Sequence, residues 1–407
     1  MTKLLTYEEA KRTIEINFKP AFLVEEEAVL LEANNRVLSG DVVSPLGLPS
    51  FNTSAVNGYA LNSQESTEAN EEAPTVLKVA GAISVGEQPK VALTKGEAVE
   101  VSVGAILPMG ADAVVAAQDV EREDDVLQLF SPVCAWENVR KQGSDIQKGA
   151  LVLKKGQVLG AAEIGVLAAL GFKQVKVLKY PMVAVLSIGD EVNELSKPLQ
   201  TGKRFDVNAY SICTAVMECG AKAIYFGVFP NNKAAIERAL RAASASSDMV
   251  VATSTVDASE IVDALGKPGV VVNGVAVKPG KTTVIGFVGE KPVFLFPSNP
   301  SAALIMFQLF TRSILQRLCG RPVSDLKTVS AFAGSKLFSA KGSRTFSLVK
   351  LAFDEQCRLI ADPVETYGEV SALVEADGFV EIAENEQFLD VDQEVLVRLL
   401  RGTAGKA

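Results

Sequence analysis

From Pro181 to Gly320, short apolar runs alternate with longer helical segments, and this alternation limits the fold more than any other feature of the chain. Val183 to Ser187, Ala223 to Val228, Met249 to Ala252, Val270 to Val277 and Val293 to Phe296 are short and rich in β-branched or aromatic residues, as strands are. Between them, Tyr210 to Cys219, Lys233 to Ala245 and Ser259 to Leu265 carry helical spacing. Strand alternating with helix predicts a parallel sheet covered on both faces, and such sheets bind ligands beyond the carboxyl ends of their strands. Three loops are expected at those ends: Ser187-Ile188-Gly189-Asp190-Glu191, Ala252 to Asp257, and Pro297-Ser298-Asn299-Pro300.

The last loop opens an apolar helix, with Asn299 suited to the N-cap and Pro300 to the first helical position. Unpaired N–H groups and the helix dipole favour an anion at such an end, and Lys278 and Lys281 of the turn Lys278-Pro279-Gly280-Lys281 add positive charge nearby. Taken alone, these residues fit an ordinary capped helix with solvated lysines slightly better. The convergence of three loops favours the anion site.

Before Pro181, Thr6 to Phe18 and Val24 to Leu38 are predicted helices. Val76 to Val79, Ala98 to Val103, Ala113 to Val115 and Val126 to Phe130 read as strands of a small β domain, with acidic Asn62 to Glu72 as a solvated loop. Asn57-Gly58 is a turn pair, Gly149 to Leu153 a short extended run and Ala161 to Leu170 a helix. After Gly320-Arg321-Pro322 the helices stop; Val329 to Phe332, Thr345 to Leu351, Leu359 to Pro363 and Val395 to Leu399 read as strands of a separate β domain.

Composition narrows the chemistry. At 407 residues the chain exceeds one ordinary core, and its net charge of −9 argues against nucleic acid or an anionic membrane as partner. Five cysteines without a CxxC pair give neither a disulfide framework nor a thiolate zinc site. No apolar run suits a signal peptide or membrane span, so a cytoplasmic protein is expected. The chain has no histidine, which excludes Ser-His-Asp and Cys-His catalysis and HExxH zinc chemistry. Carboxylates, lysines, hydroxyls and backbone remain, an inventory compatible with a hard ion such as magnesium.

Several motifs, in order along the whole chain, resemble the molybdopterin molybdenumtransferases, the MoeA or gephyrin E-domain family. FNTSAVNGYA at Phe51 to Ala60 resembles that family's FDNSAMDGYA; GAILPMGADAVV at Gly104 to Val115 resembles TGAxxPxGADAVV; Arg140 to Ile146 resembles RxxGEDI. SIGDEV at Ser187 to Val192 resembles STGDEL, Asn208 matches a strand-to-helix Asn, and KPGK and PSNP resemble KPGKP and PGNP. The resemblance implies an α/β multidomain fold: a doubly wound molybdopterin-binding-like domain at 181–322, a discontinuous helical lead-in and dimerisation domain at 1–44 and 140–180, an inserted small β domain at 45–139, and a C-terminal β-barrel-like domain at 323–407.

It further implies a cytoplasmic homodimer that inserts molybdate into adenylylated molybdopterin with magnesium and releases AMP. Asp145, Asp190, Glu191 and Asn57 are the carried-over catalytic positions, with Asp190 and Glu191 as metal ligands. Ser187, Gly189, Asn208, Ser254, Lys278, Gly280, Lys281, Pro297, Ser298 and Asn299 would hold the pterin nucleotide. This sequence departs from the pattern where both acids of FDNSAMDGYA are Asn52 and Asn57, where SGGVSVGEAD is a shorter STVDAS at Ser254 to Ser259, and where PGNP carries Ser298. The alternative expectation is a paralogue that keeps the fold and binds a pterin, nucleotide or protein partner without insertion.

Overall fold

The computed structural model describes residues 4–19, 24–90, 92–364 and 370–400. The chain packs as two compact units, one of residues 1–27, 35–37 and 176–407, the other of 28–34 and 38–175.

In the larger unit, α1 (Tyr7–Asn17) begins at a capping box in which Thr6 Oγ accepts the Glu9 N–H and the Glu9 carboxylate accepts the Thr6 N–H. Its spacing places Tyr7, Ala10 and Ile14 on one buried face. Tyr7 lies edge-on to Phe310 at 5.6 Å and to Phe346 at 5.7 Å, and Phe346 meets Phe379 at 5.8 Å. One aromatic chain thereby joins α1, the α/β layer and the C-terminal strands into a single core.

Apart from β5, which was not expected from sequence, the α/β layer follows the predicted alternation: β1 (Met182–Ile188), α2 (Asn208–Glu218), β2 (Lys222–Phe229), α3 (Lys233–Ser246), β3 (Met249–Ser254), α4 (Ser259–Leu265), β4 (Pro268–Asn273), β5 (Val284–Val288), β6 (Lys291–Pro297) and α5 (Pro300–Met306). Sheet order is β2-β1-β3-β6-β5-β4. The first four strands are parallel, and β3 is buried along its whole length, as a strand covered on both faces must be. The wholly parallel expectation fails at one edge: β5 runs antiparallel to β6, because the Gly289-Glu290 turn between them is too short for a crossover, and β4 is antiparallel to β5. Val270 to Val277 is likewise not one strand, since Asn273-Gly274 turns the chain before Val277–Lys278 joins a different sheet.

That second sheet closes on itself. Arg344–Phe353, Leu359–Pro363, Thr328–Ala333, Glu394–Leu399 and Gly378–Ile382 neighbour one another in that order, and the last pairs back to the first, which removes the free edges. Gly378–Ile382 was not expected from sequence. Val24 to Leu38 is not a helix: Glu25–Val29 is extended and only Leu30–Ala33 makes a 3-10 turn. Buried Arg36 accounts for the extended entrance, since its guanidinium pairs with Glu26 and donates to the Leu178 carbonyl at 2.7 Å.

The smaller unit holds a six-stranded sheet ordered Ala113–Ala116, Gly58–Leu61, Glu97–Val101, Thr75–Ile83, Val126–Leu129, Val120–Glu123. Asn62 to Glu72 is less solvated than predicted. Ser63 and Ser66 are buried on a 3-10 turn, and Asp112 accepts the Ser63 N–H at 2.6 Å and its hydroxyl at 2.7 Å.

Candidate functional site

The carboxyl ends of β1, β3 and β6 and the entrance of α2 surround a cavity of about 560 Å³. On its floor, the buried Ser187 hydroxyl donates to Asp206 Oδ1 at 2.8 Å and lies 3.1 Å from the Thr253 hydroxyl. Asp206 Oδ1 also accepts the Ala209 N–H at 3.1 Å, which fixes the start of α2, and the Tyr225 hydroxyl stands beside the carboxylate. Burial pushes the Asp206 carboxyl above its ordinary pKa, and burial next to Asp206 pushes the Tyr225 phenol up in turn. Asn208 donates through Nδ2 to the Ser298 carbonyl at 2.7 Å, and its Oδ1 is buried without a partner. Val192, Leu199, Phe205 and Pro300 supply an apolar wall. The cavity thus combines an apolar side with a hydroxyl, carboxylate and amide floor, as small-molecule sites do.

One lip is the loop between Val192 and Phe205. The Arg204 N–H donates to the Glu191 carbonyl at 2.9 Å and the Asp206 N–H to the Asn193 carbonyl at 3.0 Å, closing the loop at its base. Buried Asn193 fills the loop, its side-chain amide reaching the carbonyls of Glu194, Lys197 and Pro198. The Arg204 guanidinium meets the Glu191 carboxylate at 3.3 Å. That carboxylate folds over Gly189, where a Cβ would come within 2.6 Å of it. Gly189 leaves that carboxylate its room, and a methyl group there would push it aside.

The expected ligand-holding residues divide between two cavities. Thr253 and Ser254 are consecutive on β3 and point to opposite faces, Thr253 into the first cavity and Ser254 into a second of about 330 Å³ that Asp257 and Lys281 also line. Ser254 is committed locally, its hydroxyl donating to the Val256 carbonyl at 2.8 Å and accepting the Val256 N–H at 3.1 Å. The Ser259 hydroxyl, and its N–H donating at 2.8 Å, hold the Asp257 carboxyl below the usual range. Lys278 lines neither cavity and is paired in register with Thr345 of the closed sheet. Gly280 has φ +112° and lies so close to Met306 that a Cβ would meet its sulfur at 2.3 Å, so its place is fixed by packing.

Asn299 caps α5 as predicted, accepting the Ala302 N–H at 3.0 Å. This same cap changes the anion-site reading. Pro300 has no N–H, Ala302 is taken by the cap and Ala303 donates to the Asn299 carbonyl, so the first turn offers a ligand at most the Ser301 N–H. Pro297 ends β6, and half-buried Ser298 reaches the cavity wall. Asn57 and Asp145 belong to the other unit. Asn57 Oδ1 accepts the Val103 N–H at 2.8 Å; Asp145 is exposed and makes no ion pair with Arg140 among the described residues.

The acids form no ready-made cage for a divalent ion. Asp190 Oδ1 accepts the Asn231 N–H at 3.1 Å, Glu191 is paired with Arg204, and no group of three His, Cys, Asp or Glu side chains among the described residues is placed to hold a metal. Sequence reasoning missed Asp206, Thr253 and Arg204. Asp206-Val207-Asn208 carries a readable signal, two short polar side chains flanking a helix entrance, of which only Asn208 was recognised.

Comparison with known proteins agrees along the chain. Residues 5–171 match the MoeA N-terminal region (domains I and II), 184–317 the probable molybdopterin binding domain, and 330–400 the MoeA C-terminal region (domain IV). A molybdopterin molybdenumtransferase of Nostoc sp. is 33% identical over 300 residues, covering 72% of this chain and 69% of that protein. Molybdopterin molybdenumtransferase 2 of Mycobacterium tuberculosis is 30% identical over 371 residues, covering 88% of this chain and 90% of that protein. Two molybdopterin biosynthesis MoeA structures from Pyrococcus horikoshii superpose with TM-scores of 0.88 and 0.79 at 36% and 28% identity, each spanning 98% of this chain and 100% of its own. With its α/β layer, closed C-terminal sheet and inserted β sheet in the same order, the chain belongs to the MoeA family, the molybdopterin molybdenumtransferases.

Proposed function

We propose that the chain works in molybdenum cofactor biosynthesis as a molybdenumtransferase, inserting molybdate into adenylylated molybdopterin and releasing AMP. The observation that carries this reading is the meeting of Ser187, Asp206, Asn208, Thr253 and Ser298 around one cavity at the strand ends, in a chain that matches the family from end to end. The apolar wall suits a flat heterocycle and the buried acceptors Asp206 and Asn208 suit its N–H groups. Asp190, Glu191, Asn57 and Asp145 are proposed as the catalytic positions, Asp190 and Glu191 through the groups they orient, the Asn231 N–H and the Arg204 guanidinium. Magnesium is proposed to arrive with the substrate phosphates, since the acids form no cage of their own.

The four-domain division at 1–44 with 140–180, 45–139, 181–322 and 323–407 belongs to the same proposal, as does a homodimer. On the smaller unit, Val43 and Leu151 face each other on a two-stranded ribbon and both are half exposed, an apolar surface suited to a second copy. Among the described residues no helix is long and apolar enough to cross a membrane, and a cytoplasmic location is proposed. The test is purified protein with adenylylated molybdopterin, molybdate and magnesium. AMP release together with activation of an apo molybdoenzyme supports the reading; binding of the pterin nucleotide with neither product overturns it in favour of a ligand-binding paralogue.

A further inference from the structure

A substrate carrying phosphate brings negative charge into a cavity whose floor already holds the Asp206 carboxyl, so a countercharge is required. The two lysines that resemble the family's phosphate-gripping pair do not line this cavity: Lys281 lines the neighbouring one and Lys278 lines neither. The cations that do line it are Lys203 and Arg204, adjacent on the lip. The backbone of Arg204 is fixed by its bond to the Glu191 carbonyl, while its side chain is 54% exposed and held to Glu191 by one contact of 3.3 Å. A half-exposed pair of that kind contributes only about 0–1 kcal/mol, so the guanidinium leaves it at little cost. Without a ligand, Glu191 holds the arginine and Asp190 accepts a backbone N–H.

Resting on the proposed function, we infer that Arg204, with Lys203 beside it, binds the phosphate of the pterin nucleotide in the role that a divalent ion held by Asp190 and Glu191 would otherwise fill. Glu191 parks the guanidinium at the mouth while the site is empty. The planar fork of arginine matches two phosphate oxygens at once, which a lysine at the same place does not. The disagreement between the acids and a metal site then has a physical cause: this lip carries its own cation.

The experiment is calorimetric titration of the full chain with AMP, pyrophosphate and molybdate, each in EDTA and again in magnesium. AMP and pyrophosphate are expected to bind in EDTA, with dissociation constants within about twofold of those in magnesium, and Arg204→Ala to weaken both at least about tenfold. Arg204→Lys is expected to recover part of the loss, and Glu191→Gln to preserve or tighten binding by freeing the guanidinium. Arg204 is exposed, so an unchanged melting temperature separates lost binding from lost fold. Binding that appears only with magnesium and survives Arg204→Ala overturns the inference, as does failure of both phosphate probes under either condition. A response of molybdate alone to Arg204→Ala also overturns it, because the oxyanion bound is then the metal substrate. The insertion assay keeps the two readings apart. Undiminished AMP release by Arg204→Ala leaves the transferase reading standing and sinks this one, whereas Arg204-dependent AMP binding without insertion does the reverse.

Discussion

The side-chain amide of Asn208 donates to the carbonyl of Ser298 at 2.7 Å, tying the first residue of α2 to the loop that follows β6. Two walls of the cavity are held in register by this bond. Asn208→Ala removes the donor and takes this bond from the carbonyl of half-buried Ser298, which is expected to destabilise the fold by about 1 kcal/mol and to lower kcat/KM for AMP release at least about tenfold. Urea denaturation and initial rates measure the two effects. A variant with wild-type kcat/KM would show that the loop holds its place without Asn208.

Gly189 carries a prediction of another kind. A methyl group there would lie 2.6 Å from the Glu191 carboxylate, the far end of a flexible and partly exposed side chain. Gly189→Ala should therefore change stability by less than about 1 kcal/mol while displacing Glu191 and loosening Arg204. A crystal structure of the variant checks this by the Glu191 to Arg204 separation, expected to exceed its present 3.3 Å.

Asp206 sets a pH dependence. Burial raises its carboxyl pKa in the folded chain, so between its ordinary value of about 3.8 and that raised value the folded state binds more protons than the unfolded one. Stability from this group is complete below about pH 3.8 and is lost as pH rises through the raised value. Asp206→Asn keeps an acceptor for Ser187 and Ala209 and removes the charge. The variant is expected to be more stable than its parent at pH 7.5, with the gap shrinking toward acid. Denaturation at pH 4 and pH 7.5 tests the sign, and a variant that is weaker at pH 7.5 contradicts it.

Much of this was legible in the chain, for reasons that differ from place to place. Most strands and helices from Met182 to Met306 were legible because buried parallel strands are continuous apolar runs bounded by turn residues, whereas the antiparallel strand Val284–Val288 was missed; Asn299-Pro300 announced a helix entrance by capping chemistry alone. Val24 to Leu38 was misread because its extended form depends on a buried Arg36 that needs Glu26 and the Leu178 carbonyl, a distant partner that no local pattern shows. The site was legible as a set of loops but not as a geometry. Thr253 and Ser254 are equal as letters, and only the pleat of β3 sends one into each cavity. That Arg204, thirteen residues on, meets the Glu191 carboxylate is likewise set by the fold and by no local pattern.

The aromatic chain through Phe346 offers a test of the core. Phe346 is fully buried between Tyr7 and Phe379 and belongs to the C-terminal closed sheet. Phe346→Ala is expected to cost about 3–5 kcal/mol, whereas Phe353→Ala, on the same strand but largely exposed, should cost under about 0.5 kcal/mol. Urea midpoints for both variants measure the contrast.

The most direct test of the central claim, that the cavity between β1 and β6 is where the pterin nucleotide reacts, is AMP release by the wild-type chain compared with Ser298→Phe. Ser298 is half-buried on the cavity wall, so the added ring can occupy the space without entering the core. The account predicts AMP release with molybdate by the wild type, and a loss of at least about a hundredfold in kcat/KM for a variant whose melting temperature is unchanged. Equal turnover by the two proteins would place the reaction elsewhere and contradict the account.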